Sequence, residues 1–177
     1  MQFELSQETQ MSTKSTDAVS LLVADHKKVA GLFAEFGEAN SLAKQSKLVA
    51  QICDELTIHT MIEEEILYPA LRGKLDDDKL DEAYVEHDGA KALVCQLRDA
   101  DPSEQYYQAK VKVLSEDIEH HVEEEEKPRD GLFARAAKAD VDLDELGAKL
   151  AARKEELLKL AKAGDLPPPQ LLTTEAA

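Results

Sequence analysis

Residues 58–71 read IHTMIEEEILYPAL, and residues 119–126 read EHHVEEEE. Both stretches place a histidine four residues ahead of a glutamate, inside runs whose apolar residues recur at three and four, the period of a helix with one buried face. Around the first stretch, Ile52, Leu56, His59, Glu63, Ile66 and Ala70 fall on one stripe by alternating steps of four and three. Around the second, Val111, Leu114, Ile118, His121 and Glu125 do the same. Twice, a polar pair stands where core residues belong.

The remaining sequence extends this pattern. Gly and Pro are scarce until the end and β-branched runs are absent, so the chain reads as almost wholly helical. Asp17 suits the N-cap of a helix over 18–37 that aligns Val19, Leu22, His26, Val29 and Phe33. Ser41 caps a second helix that carries 58–71 and closes at Arg72-Gly73, with Pro69 expected to kink or shorten its last turn. The aspartates at 76–78 open a third, bearing Leu80, Ala83 or Tyr84, His87, Ala90, Val94 and Leu97. Asp101-Pro102 reads as a cap and first-turn proline for a fourth, which ends near the KPRDG at 127–131. Then DVDLDELGAKLAARKEELLKLAKAG predicts a fifth helix, opened by Asp142 or Asp144 and closed by Gly164.

The expected architecture is all-α: an up-and-down four-helix bundle over 17–137 with an additional C-terminal helix over 138–164. A disordered segment at 1–16 and a flexible, proline-rich tail at 165–177 complete it. A length of 177 residues suits a single core.

The 37 acidic residues outnumber 21 basic ones, and the net charge of −16 repels nucleic-acid phosphates and anionic membranes, so neither is expected as a partner. The opening residues lack a secretory signal, and no apolar run approaches the ~20 residues of a membrane span, which points to the cytoplasm. Cys53 and Cys95 lack CxxC spacing and read as two buried thiols.

Each of the four bundle helices therefore brings a histidine to the interior, and two bring a glutamate. One buried histidine is ordinarily satisfied by a carbonyl or a carboxylate. Four histidines with two carboxylates, on stripes without lysine or arginine to balance Glu63 and Glu125, call for a bound cation. Imidazole with carboxylate and no thiolate suits iron or manganese and tolerates zinc. Two ions fit the set, each glutamate bridging both and each ion taking two histidines. His120 and Glu124 share the spacing of His121 and Glu125 but point about 100° away; the stripe favours the latter pair. Tyr84, one turn before His87, reads equally well as a hydrogen-bond partner of a ligand or bound oxygen species and as a core-edge tyrosine; Lys91, one turn after it, reads as a lysine that enters the pocket or, as lysine usually does, snorkels to water. Glu64, Glu65, Glu123, Glu124 and Glu126 read as a solvated face.

DHKKV at 25–29, HTMIEEEILYPAL at 59–71, VEHDGAK at 85–91 and HHVEEEE at 120–126 resemble, in order, the motifs of the hemerythrin-like, or HHE cation-binding, domains. The resemblance implies a four-helix bundle around an oxo- or hydroxo-bridged di-iron centre, with His26, His59, Glu63, His87, His121 and Glu125 as metal ligands. It departs from the oxygen carriers where their third helix repeats a histidine at the position of Lys91, and where their last carboxylate stands one residue farther on than Glu125. The chain thus looks like a Glu-rich bacterial branch. The expected function is a non-haem di-iron centre that binds or senses dioxygen or a related small oxidant, peroxide or nitric oxide, with ligand binding favoured over catalysis. The alternatives are a di-iron peroxidase or oxidase in stress defence, and an iron-storage or iron-sensing module whose C-terminal helix meets a protein partner.

Overall fold

The computed structural model describes residues 16–174. The expectation of disorder at 1–16 lies outside these residues save for Thr16, and that for 175–177 lies outside them as well. Four long helices form the bundle: α1 (Ala18–Gly37), α2 (Leu42–Ile62), α4 (Asp77–Leu97) and α5 (Tyr107–Glu126). Each packs on its neighbours in the cyclic order α1, α2, α4, α5, the arrangement of an up-and-down bundle. A π-helical turn (Glu63–Leu67) and a last α-turn, α3 (Tyr68–Leu71), continue α2. A short α6 (Leu132–Ala136) comes after α5, and α7 (Leu143–Ala163) lies against α1 and α2.

Caps set most of these ends. Asp17 accepts the Ser20 amide, Ser41 that of Lys44 and Asp142 that of Glu145, while Gly164 closes α7 at φ 78°. α5 is different. Asp101 directs its carboxylate to the Ser103 amide and hydroxyl at 2.8 and 2.7 Å, so Asp101-Pro102 makes a turn and the helix begins only at Tyr107.

The π-turn corrects the expected stripe of the second helix. The Tyr68 amide reaches the Glu63 carbonyl, one residue farther than in an α-helix. The wider turn rotates the last stretch of the helix, burying Leu67, Tyr68 and Leu71 and leaving Ile66 and Ala70 only half-buried. Pro69 has no N–H to give, and the wide turn before it lets the helix run through to Leu71 instead of ending there.

Two apolar layers fill the bundle. One gathers Leu22, Ile58, Ile62, Leu80, Phe133 and Leu150; the other Val29, Ile52, Leu56, Val94, Val111 and Leu114. Between them lies a polar layer at the levels of His26, His59, His87 and His121. Packing on both sides shields this layer from water, which strengthens every charge interaction in it. Cys53 is buried, but Cys95 is exposed, one position past the inward Val94, and both thiols are free.

The tail after α7 is extended, and it is held. Leu166 and Pro169 are buried. Asp88 of α4 accepts the amides of Leu172 and Thr173 and the Thr173 hydroxyl at 2.6–3.0 Å. Among the described residues, no helix is long and apolar enough to cross a membrane.

Candidate metal centre

All six residues expected from the sequence converge in the polar layer. His26, His59, His87, His121, Glu63 and Glu125 are each at most 7% exposed, and Glu63 is wholly buried. His26 Nε2 faces His59 Nε2 at 3.2 Å, and His87 Nε2 faces His121 Nε2 at 3.1 Å. Glu63 Oε2 stands 3.2 Å from His59 Nε2 and 3.4 Å from His87 Nε2. Glu125 Oε2 stands 3.4 Å from His26 Nε2 and 3.6 Å from His121 Nε2. Each carboxylate thus lies between a histidine of one pair and a histidine of the other. Two groups of potential ligands result: His26, His59, Glu63 and Glu125, and Glu63, His87 and His121. His120 points outward, its side chain 65% exposed.

The other ring nitrogens explain why the Nε2 atoms point inward. His26 Nδ1 donates to Glu126 at 2.7 Å, His87 Nδ1 to Glu64 at 2.9 Å, and His121 Nδ1 to Glu86 at 2.7 Å. Asp25 Oδ2 approaches His59 Nδ1 at 3.6 Å, an electrostatic contact longer than a hydrogen bond. A carboxylate at Nδ1 calls for the proton there, which leaves a lone pair at Nε2. Two lone pairs facing each other at these distances, beside carboxylate oxygens, repel unless a cation lies among them.

The polar atoms pass the same test. Glu63 Oε1 and Glu125 Oε2 are buried without a hydrogen-bond donor, an arrangement that costs several kcal/mol for an unpaired charge. A donor set of imidazole nitrogen and carboxylate oxygen fits iron, manganese or zinc. Without metal, protons do the compensating. Burial disfavours the charged imidazole, yet the charge of Glu63, with Asp25 and Glu125 behind it, pushes His59 up to about 10. Burial is likewise overcome by Glu63 and Glu64 at His87, which rises to about 8. Glu63 is held well below the usual carboxylate range against its own burial, by His59 and His87.

Several residues here escaped the sequence reading. Tyr68, brought inward by the π-turn, gives its hydroxyl to Glu125 Oε1 at 3.0 Å, with Glu63 Oε2 at 3.4 Å and His87 Nε2 at 3.2 Å. Burial and the negative charge of Glu125 and Glu63 raise its pKa, so the phenol keeps its proton. Glu64 and Glu126, read as solvated face, are instead partners of the inward histidines, as are Asp25 and Glu86. The signal was adjacency. Asp25 and Glu86 each precede a histidine, Glu64 and Glu126 each come directly after a glutamate, and the pattern [DE]-H … H-x-x-x-E-E occurs in each half of the bundle, where in the second half the outward His120 fits it as well. Lys91 is 3% exposed, held by Glu64 and Asp88, and does not snorkel.

Fold and cage together define a metal-binding helical bundle. The family model of the hemerythrin HHE cation binding domain matches residues 17–128, and the chain belongs to that family. It is 34% identical over 102 residues to a DNA nickase from Nostoc sp., a match covering 58% of this chain and 29% of the nickase. The chain therefore spans less than a third of that relative's length. Among solved structures it resembles a hemerythrin HHE cation-binding domain-containing protein from Mycobacterium kansasii, with a TM-score of 0.68 and 26% identity, over 85% of this chain and 94% of that one.

Proposed function

We propose that this cage holds two non-haem irons, with His26 and His59 on one, His87 and His121 on the other and Glu63 and Glu125 bridging, and that the centre binds or senses dioxygen or a related small oxidant in the cytoplasm. The observation that carries the reading is the pair of ligand groups joined through Glu63, with Glu125 of the first group standing 3.6 Å from His121 of the second. Iron bound there would supply one-electron chemistry and open positions for a small ligand. Manganese and zinc are the competing occupants.

The surroundings support a small ligand. A cavity of about 20 Å³ lies against the four histidines, with Val29, Leu56, Ile118 and Val122 as apolar lining. Beside it, a groove of about 560 Å³ between α1 and α5 reaches His26 and shares Ile118 and Val122 with it. This offers an apolar approach for an uncharged diatomic molecule. The Nδ1 carboxylates orient the histidines and make them stronger donors.

Tyr68 favours a second reading, reduction of peroxide. Its hydroxyl is a neutral proton donor amid the candidate ligands, where a reduced oxidant would need protons. DNA nicking, the activity named for the Nostoc relative, is weighed against by the net charge of −16.

Metal content per chain, by mass spectrometry on untagged protein made with ample iron, tests the proposal. About two irons per chain would support it. Zinc, one ion or none would overturn it. Optical spectra under dioxygen, nitric oxide and peroxide then separate binding from turnover, and a supercoiled plasmid assay tests nicking.

A further inference from the structure

The family match ends at residue 128, yet the chain beyond it reaches back to both halves of the cage. Lys154 of α7 pairs with Asp25, the carboxylate behind His59. On the opposite side, Lys91 lies 2.6 Å from Glu64, the carboxylate behind His87. The same ammonium is 3.1 Å from Asp88 and 3.0 Å from the Gln170 carbonyl of the tail. Asp88 in turn accepts the amides of Leu172 and Thr173. Arg153 of α7 adds a two-pronged bond to Glu65, at 2.7 and 3.1 Å, in the π-turn itself.

The pattern is selective. Of the four carboxylates behind the histidines, Glu86 and Glu126 answer to histidine alone. Asp25 and Glu64 are each also tied to a lysine, one in either half of the cage. Asp25, Asp88 and Lys91 are at most 6% exposed, so these ties are not screened as surface ion pairs are.

We infer that Lys154 and Lys91 are positioning residues through which α7 and the strap 166–173 orient His59 and His87, so that seating of the C-terminal segment and retention of metal are coupled. The inference rests on the metal cage proposed above and adds a device to it. A carboxylate fixed from behind by an ammonium keeps its charge at its imidazole, through a hydrogen bond at His87 and electrostatically across 3.6 Å at His59; a released one swings, and changes behind ligand histidines typically shift metal affinity 10–100-fold. Coupling of this kind is reciprocal: if the seated strap tightens metal, bound metal seats the strap. The segment is a reporter of metal occupancy.

The test uses the full-length protein, loaded with iron or zinc. Leu172→Pro, at an exposed position, removes one amide from Asp88; Lys154→Met removes the positive charge that faces Asp25, and Lys154→Arg restores it. Metal loss to a competing chelator and cleavage of the strap by subtilisin are measured together. The expected result is that metal removal speeds strap cleavage about tenfold, that Leu172→Pro and Lys154→Met speed metal loss by a similar factor, and that Lys154→Arg returns it to near the starting rate. Cleavage indifferent to metal, with metal loss unchanged in Leu172→Pro, would overturn the coupling while leaving the cage intact. Failure of the unmodified protein to take up metal would overturn both.

Discussion

Removing metal should make the protein's stability fall as pH rises, the reverse of the usual response of a protein rich in paired carboxylates. In the metal-free fold, His59 is raised from 6.5 to about 10 and His87 from 6.5 to about 8. A raised histidine holds its proton in the native state where the unfolded chain has released it. Its stabilisation is therefore complete below 6.5 and is lost as pH climbs through the folded value. At 1.36 kcal/mol per unit, His87 contributes about 2 kcal/mol in total, and the two rings together should lose about 3 kcal/mol between pH 6.5 and 8. Glu63 works in the opposite sense but titrates far below this window. The assay is denaturant unfolding monitored by circular dichroism at half-unit steps of pH, on stripped and metal-loaded protein. Loaded protein has exchanged those protons for metal, so its stability should hold or rise over the same range. A metal-free protein whose stability is flat or rising from pH 6.5 to 8 would refute the protonation of the empty cage.

The same geometry sets further outcomes. Glu63→Ala and Glu125→Ala should each drop metal content below about one ion per chain, since Glu63 belongs to both groups and Glu125 stands between His26 and His121; full occupancy in either would dismiss it as a bridge. His121→Ala should lose metal and His120→Ala should leave it unchanged, and plasma mass spectrometry of the two would show any exchange of roles. Tyr68→Phe takes the donor from Glu125 and should cost the folded state about 1–3 kcal/mol, read by denaturant unfolding of the loaded protein; no change would mean that the bond carries nothing. At Gly147, a β-carbon would lie 2.3 Å from the Thr16 carbonyl oxygen, so Gly147→Ala should destabilise by about 1–3 kcal/mol in thermal melts, and an unaltered melt would refute the close approach of α7 to the start of α1.

The convergence of the six residues was legible because their spacing obeys the helix period. His59 with Glu63 and His121 with Glu125 fall on apolar stripes, and His26 and His87 align with their own, so local spacing alone assembles six inward residues. Tyr68 was not legible: its direction depends on a π-turn, and a wide turn at Glu63–Leu67 leaves no spacing signature apart from the proline after it. The carboxylates behind the histidines were concealed by their company. In EEE and EEEE, adjacency to Glu63 and Glu125 marks Glu64 and Glu126 but does not give their partners; those are set by which helix stands opposite. The strap lay farther still from local rules, since Asp88 and Lys91 meet residues about 80 positions away in sequence. The misplaced start of α5 had a local cause, an aspartate that bonds its own turn rather than a helix.

The doubled motif also carries a consequence for the order in which the molecule assembles. Asp25 and Glu86 each serve a histidine of their own helical pair, whereas Glu64 and Glu126 each cross to the other pair. A single helical hairpin can therefore offer an ion one histidine pair and one glutamate, a weak and open grip. The full set of donors, and the outer bonds that aim them, exist only once the two hairpins have docked. An ion met early in folding would be held loosely and free to exchange, and the choice of metal would then fall to the last step, when the closing hairpins fix the donor distances.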